Sequence, residues 1–391
     1  MCSQLGARLR SFGNLFLADR GVRYSLLSRL FTIVFGPLTL LSIGAFLRPE
    51  EQGVYYVFGS LLQLGAFIDL GFSKSAQQLL AHAFGSLEIN PNGGFIGNQE
   101  RLAKFLATAK AVIQTYALLG LTLLVILGIV GHFYLARTLH GTMPNPTGPW
   151  WAIITSIGIG FGLQSILTIA DAANLLAMTN KWRLISEIFG IIIFLLVLAM
   201  GGGLWASAAL AFSRCFLTAI PVSFCIGLST LRQIMSAHGT DFSYRAEILP
   251  LQLRNMISYG MGFLIFYCYT PLALSLSGAI TAGLIGMSLQ IGNIVQSFST
   301  LWFNAQLPLM GNLAGGGSRQ ELLDLHNKGT KVTLLSWILV SSGVIFAAAT
   351  GKAILPAMGA RYGSLPEIIL FIIGSGGLAW AHVRAAFVRA Y

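Results

Sequence analysis

Apolar stretches of about twenty residues, parted by short polar turns, recur from Ser25 to the end of the chain. Each is long enough, at 1.5 Å per residue, to cross roughly 30 Å of hydrocarbon. They fall near 25–47, 53–71, 111–135, 150–175, 184–200, 204–228, 255–277, 279–305, 332–350 and 365–383. This pattern predicts an all-α polytopic membrane protein of about ten spans, with no residues left over for a soluble domain. One interval breaks the rhythm. Between Phe72 and Lys110 the hydrophobic pattern turns amphipathic on either side of Asn90-Pro91-Asn92-Gly93-Gly94, which predicts two interfacial helices joined by a turn on the cytoplasmic side.

Composition supports lipid as the solvent: charged residues make up 9% and apolar residues 55%, where a soluble domain carries about a quarter charged. The 45 glycines read as packing residues, because spanning helices approach closely only where side chains are small. Net charge is +11, but the basic residues are scattered among short loops, which argues against a nucleic-acid partner. With the N-terminus inside, 19 of the 24 Lys and Arg fall on cytoplasmic segments. That asymmetry orients the chain with both termini cytoplasmic, and the expected location is a cell inner (plasma) membrane. The basic start, through Arg8, Arg10, Arg20 and Arg23, lacks a small-residue cleavage site after the first apolar run and is read as retained. The four cysteines, Cys2, Cys215, Cys225 and Cys268, suggest no disulfide framework.

A shift of about 230 residues lays the first two spans over the seventh and eighth, placing Gly53 on Gly283, Gln63 on Asn293 and Gly85 on Gly315. Same-orientation repeats imply two bundles related by a pseudo-two-fold along the membrane normal, with cargo between them. The expected organisation is a basic N-terminus over 1–24, a six-helix bundle over 25–228, a cytoplasmic connection over 229–254 and a second bundle over 255–391. With about four helices, the second bundle is two short of a symmetric pair.

Leu47-Arg48-Pro49-Glu50-Glu51-Gln52-Gly53-Val54-Tyr55, the run Asp69-Leu70-Gly71-Phe72, Ala282-Gly283-Leu284 and Trp302-Phe303-Asn304-Ala305-Gln306-Leu307-Pro308 carry a resemblance in their order and spacing. The chain resembles the polysaccharide flippases of the multidrug, oligosaccharidyl-lipid and polysaccharide exporter superfamily. Gln52 departs from the family's usual aromatic. The resemblance implies a transporter that moves a polyprenyl-diphosphate-linked oligosaccharide to the outer leaflet by alternating access, with that lipid and membrane lipids as partners and no cofactor.

Candidate site residues follow from polarity in the spans. Arg214 lies about eleven residues from either end of the sixth, too deep to snorkel, so its guanidinium should face protein or water. It suits a diphosphate held by a planar fork, or else an internal ion pair with Asp171 or Glu187. Gln290, Asn293, Ser297, Thr300 and Asn304 repeat at three and four residues and make one polar helix face, suited to a hydrated cavity or to helix-to-helix hydrogen bonds. Gln164, Thr168, Asp171 and Asn174 form a similar stripe, and Ser60 with Gln63 a shorter one. Arg29 shares its face with Thr32, Gly36 and Thr39 and should point inward, whereas Arg23, Lys74 and Arg254 read mainly as interfacial anchors. Asp171 and Glu187 are the candidates for a coupling proton or sodium ion. Asp69 reads as a cap, and His132 and His382 as ordinary interfacial histidines.

Two other classes fit the sequence less well. A drug or metabolite antiporter of the same superfamily should have an acidic cavity, and acids here are sparse. A membrane transferase or polymerase needs paired acids, a metal cluster or an ordered catalytic loop. The outer loops are short, and no His-Glu-x-x-His or similar metal spacing occurs, so neither catalytic nor metal-binding residues are assigned.

Overall fold

The computed structural model describes residues 20–65, 69, 72–85, 87–90, 94–139, 146–237, 263–264, 267–315 and 319–390. Almost all of them are helical, and eight of the helices are long and apolar enough to cross a membrane. The all-α polytopic expectation holds. The chain divides into two compact units: one holds Phe58–Pro271 with the chain up to Phe31, the other Thr32–Val57 with Leu272–Tyr391.

The first unit takes the start of α1 (Arg20–Phe46) and the end of α2 (Pro49–Leu62), then α3 (Phe72–Phe84), the two-residue strands β1 (Glu88–Ile89) and β2 (Phe95–Ile96), and α4 (Gln99–Thr138). α5 (Thr147–Ala172), α6 (Leu176–Ala199), α7 (Trp205–Ile226) and the short α8 (Leu228–Met235) complete it. Close helix contact here depends on missing side chains. A Cβ on Gly120 would lie 2.5 Å from the carbonyl oxygen of Gly158, and one on Gly131 would lie 2.2 Å from the Trp150 ring, so α4 and α5 meet backbone to backbone. Trp150 is fully buried and donates through its indole N–H to the Gly128 carbonyl at 3.3 Å.

The interval from Phe72 to Lys110 differs from expectation in one respect. α3 is the first of the two helices, and β1 pairs antiparallel with β2, the Asn90 N–H donating to the Gly94 carbonyl at 2.9 Å. The second amphipathic stretch is the beginning of α4, which runs unbroken for 40 residues, roughly 60 Å and about twice the hydrocarbon thickness. Asn98 caps it by accepting from the Glu100 N–H at 3.0 Å. Phe84, Phe95 and Phe105 stack edge-on or tilted at 4.8–5.8 Å between centroids. Gln233 of α8 both accepts from and donates to the Phe95 backbone, at 2.8 and 3.2 Å. An amphipathic pattern followed by an apolar one can be one helix that leaves the membrane, and packing onto the hairpin makes it so here.

The second unit packs the rest of α1 and the start of α2 with α9 (Tyr269–Gly315), α10 (Arg319–Ile354), the single-turn α11 (Pro356–Gly359) and α12 (Leu365–Ala390). Gly278, at φ +85°, breaks α9 into the end of one expected span and the whole of the next. The glycines that the repeat equates meet each other: a Cβ on Gly283 would lie 3.1 Å from the Gly53 nitrogen, and one on Gly53 would lie 1.9 Å from the Ala279 carbonyl oxygen. Gln52, 1% exposed, secures the contact by donating to the carbonyls of Gly283 at 3.2 Å and Arg361 at 2.8 Å. The position that departs from the flippase pattern thus has its own structural use.

Candidate functional site

A polar cavity of about 320 Å³ opens in the first unit between α1, α6 and α7. Ser25 and Ser28 come from α1, Asn180, Arg183, Ser186 and Glu187 from α6, and Arg214 and Thr218 from α7. Asn180, Arg183 and Glu187 are spaced three and four apart, and Arg214 and Thr218 four apart, so each helix offers one polar face. Small neighbours make room: a Cβ on Gly190 would touch the Arg214 side chain at 3.3 Å.

The hydrogen bonds sort the charges. Asp171, nearly buried, accepts from the Thr179 hydroxyl at 2.5 Å and forms an ion pair with Arg183 at 2.9 Å. The other Arg183 nitrogen donates to the Asn180 side-chain oxygen at 3.2 Å. Glu187 accepts from the Ser28 hydroxyl at 2.7 Å. Ser186 and Thr218 join α6 to α7 through their hydroxyls at 2.7 Å. Arg214 is exposed to the cavity, and among the described residues its guanidinium makes no hydrogen bond or ion pair. The ion pair that Asp171 makes is therefore with Arg183 and not with Arg214. The hydrophobic pattern starts this helix at 184, which places Arg183 in the loop before it and hides it as a cavity residue. A start at Leu176 exposes the Asn180–Arg183–Glu187 spacing.

Tyr116 anchors a second polar group. The buried Tyr116 hydroxyl shares a hydrogen bond with Thr168 at 3.1 Å, and Ser73 donates to the Asp69 carboxylate at 2.7 Å, its backbone N–H joining at 3.2 Å. Asp69 is thus a cap for α3, as its position before a turn suggests. Asn174 stands apart from the Gln164–Thr168–Asp171 stripe, exposed and with φ +62°.

In the second unit the stripe on α9 divides. Gln290, Asn293 and Ser297 are exposed. Thr300 is buried and donates to the Gln296 carbonyl at 3.0 Å, while Asn304 donates to the Thr300 hydroxyl at 3.4 Å and meets His382 Nε2 at 2.8 Å. The stripe is open at one end and internally bonded at the other. Gln63 is an exposed turn residue just past α2. The side chains of Arg29 and Lys74, and all of Arg254, lie outside the described residues. Arg23 is half-buried with its guanidinium 5.7 Å from the Tyr24 ring, and His132 accepts from the Trp151 indole at 3.3 Å.

No family profile matches the chain, and no curated protein does. Solved structures do match. An inward-facing multidrug resistance MATE family transporter of the MOP superfamily aligns at TM-score 0.58 and 12% identity, over 93% of this chain and 87% of that one. The MATE multidrug transporter DinF-BH in complex with R6G aligns at TM-score 0.51 and 14% identity, over 95% and 85%. The fold of this chain is that of the MATE transporters.

Proposed function

We propose that the protein is a membrane transporter of the MOP superfamily whose cargo is anionic, a polyprenyl-diphosphate-linked oligosaccharide flipped to the outer leaflet of the cell membrane. The observation that carries this reading is the Arg214 guanidinium facing a 320 Å³ polar cavity without an ion-pair partner among the described residues. An arginine costs a few kcal/mol at mid-membrane, roughly 2.5–3.5 even on the lenient insertion scale, and a bound diphosphate would offset that. Arg183 stands beside it, and the hydroxyls of Ser25, Ser28, Ser186 and Thr218 suit phosphate or sugar oxygens. Gln290, Asn293 and Ser297 are placed to pass sugar hydroxyls without holding them tightly, and Glu187 is the carboxylate on the cavity wall that could exchange a coupling ion.

The second reading is an ion-coupled drug antiporter. Both structural neighbours are multidrug transporters, one of them solved with R6G, and Glu187 gives the cavity one acid that a cationic cargo could use. Cargo charge separates the two. Purified protein in vesicles is offered a fluorescent polyprenyl-diphosphate saccharide and, separately, R6G. Transfer of the saccharide, lost in Arg214→Ala and largely lost in Arg214→Lys at unchanged protein levels, supports the first reading. Movement of R6G that survives Arg214→Ala and falls in Glu187→Gln, with no saccharide transfer, establishes the second.

A further inference from the structure

Two histidines that the proposed function does not use face a common phenylalanine in the second unit. Phe303 on α9, fully buried, lies 6.4 Å from the His326 ring of α10 and 6.5 Å from the His382 ring of α12, edge-on to both at 77°. His326 is 3% exposed, its ring tilted 35° against Phe387 at 4.3 Å, and its Nδ1 is buried without a hydrogen-bond partner among the described residues. The surrounding core is Phe303, Met310, Leu322 and Val383. A buried ring nitrogen with nothing to bond is costly, and a leucine or methionine would fill the space without that cost. An imidazole in such a place invites a role that only a titratable group can perform.

We infer that His326 and His382 form a proton-binding site that sets the arrangement of the polar stripe on α9. The hydrogen bonds give the link. Thr300 donates its hydroxyl to the Gln296 carbonyl, so it receives the Asn304 amide, which turns the Asn304 carbonyl oxygen toward His382. His382 Nε2 therefore carries the hydrogen of that 2.8 Å bond. Asn304 holds an imidazole with one end of its side chain and the stripe with the other.

His326 takes up the proton. The protonated ring carries an N–H on both nitrogens, so that Nδ1–H is aimed where the described packing has no acceptor and the cation lies between two phenyl rings. Among the described residues, the ionisable groups nearby do not compensate it. α9 carries no acidic or basic side chain. α12 presents His382 and the Arg384 cation, whose guanidinium lies over Trp380 at 5.3 Å. α10 itself presents Asp324, Lys328 and Lys331, all exposed, with Lys328 over Trp302 at 5.9 Å. A protonated His326 thus favours a repacked contact with Phe303 and Phe387, and Phe303 neighbours Asn304 in the chain. The stripe shifts with it.

The inference rests on the transporter reading but not on the charge of the cargo, and its test uses no cargo. A spin label is attached at Asn293→Cys in the full-length protein in lipid nanodiscs, with the native cysteines replaced by serine. Its spectrum is followed from about pH 7.5 down to about 4.5, because burial and the Arg384 cation both disfavour the charged ring. The expected result is a reversible pH-dependent change in the parent, lost in His326→Gln and moved in midpoint by His382→Gln, with His132→Gln behaving as the parent does. Should His326→Gln fail to fold, His326→Asn and the His382→Gln midpoint decide the matter. A spectrum independent of pH in the parent, or an unchanged titration in the His326 and His382 variants, overturns the inference. Neither outcome bears on the Arg214 result, which is read from cargo transfer.

Discussion

At the residue scale the informative contrast is between two arginines. Arg183 is bound on both sides, by Asp171 and Asn180, whereas Arg214 faces open space. Removing Asp171 should therefore cost stability rather than recognition. Asp171→Ala leaves half of the Arg183 fork unpaired and takes the buried partner from the Thr179 hydroxyl, which keeps the Leu176 carbonyl at 3.1 Å, at a combined cost of about 1–3 kcal/mol. The expected outcome is a lower melting temperature and less protein in the membrane, partly restored by adding Arg183→Met. Equal stability of Asp171→Ala and the parent would return the carboxylate to the list of coupling sites. Arg214→Ala should instead leave the melting temperature nearly unchanged. The depth of Arg214 was legible in the sequence because a lone charge stands out in an apolar run. Arg183 was not, because charged residues at the start of a helix look like the loop before it. Asn304 and Thr300 were legible as polar positions, but sequence spacing shows a face and not what meets it.

At the scale of elements, hydrophobic period located the apolar middle of eight long helices among the described residues, since twenty apolar positions in a row have few alternatives in lipid, but it set the starts of α6 and α10 at 184 and 332 where the helices begin at Leu176 and Arg319. What it missed were continuities and breaks. α4 continues past its apolar part because α3, the hairpin and α8 give its polar end a surface to pack on. α9 breaks at Gly278, where φ +85° is open to glycine at little cost. The glycines on α4 were read as packing residues, and the packing makes a sharp forecast. Gly131→Leu drives a side chain into Trp150 and should destabilise the protein by about 1–3 kcal/mol or more. Gly162→Ala, with no heavy atom within 4 Å of the new methyl, should be neutral. Size-exclusion thermal melts of the two variants check this. A stable Gly131→Leu would mean that α4 and α5 are not in contact as described.

At the scale of the whole molecule, the basic-residue asymmetry makes a forecast of its own. Reporter fusions at Gly141 and Gly239 should read external and cytoplasmic respectively, and the reverse at either site would overturn the orientation. The repeat is the other whole-chain feature that the sequence displayed, through Gly53 and Gly283. It did not show that the two positions touch, because an offset in numbering carries no distance. Their contact has a consequence for how the chain can vary. The two positions match in the repeat, yet they are not equally constrained. A methyl on Gly283 meets its neighbours at 3.1–3.2 Å, which a shift of a few tenths of an ångström accommodates, whereas a methyl on Gly53 meets a backbone oxygen at 1.9 Å and has nowhere to go. A library randomised at both positions and selected for folded protein should recover alanine or serine at 283 and glycine alone at 53. The contact thus binds its two sides unequally, leaving position 283 room to vary while position 53 stays fixed.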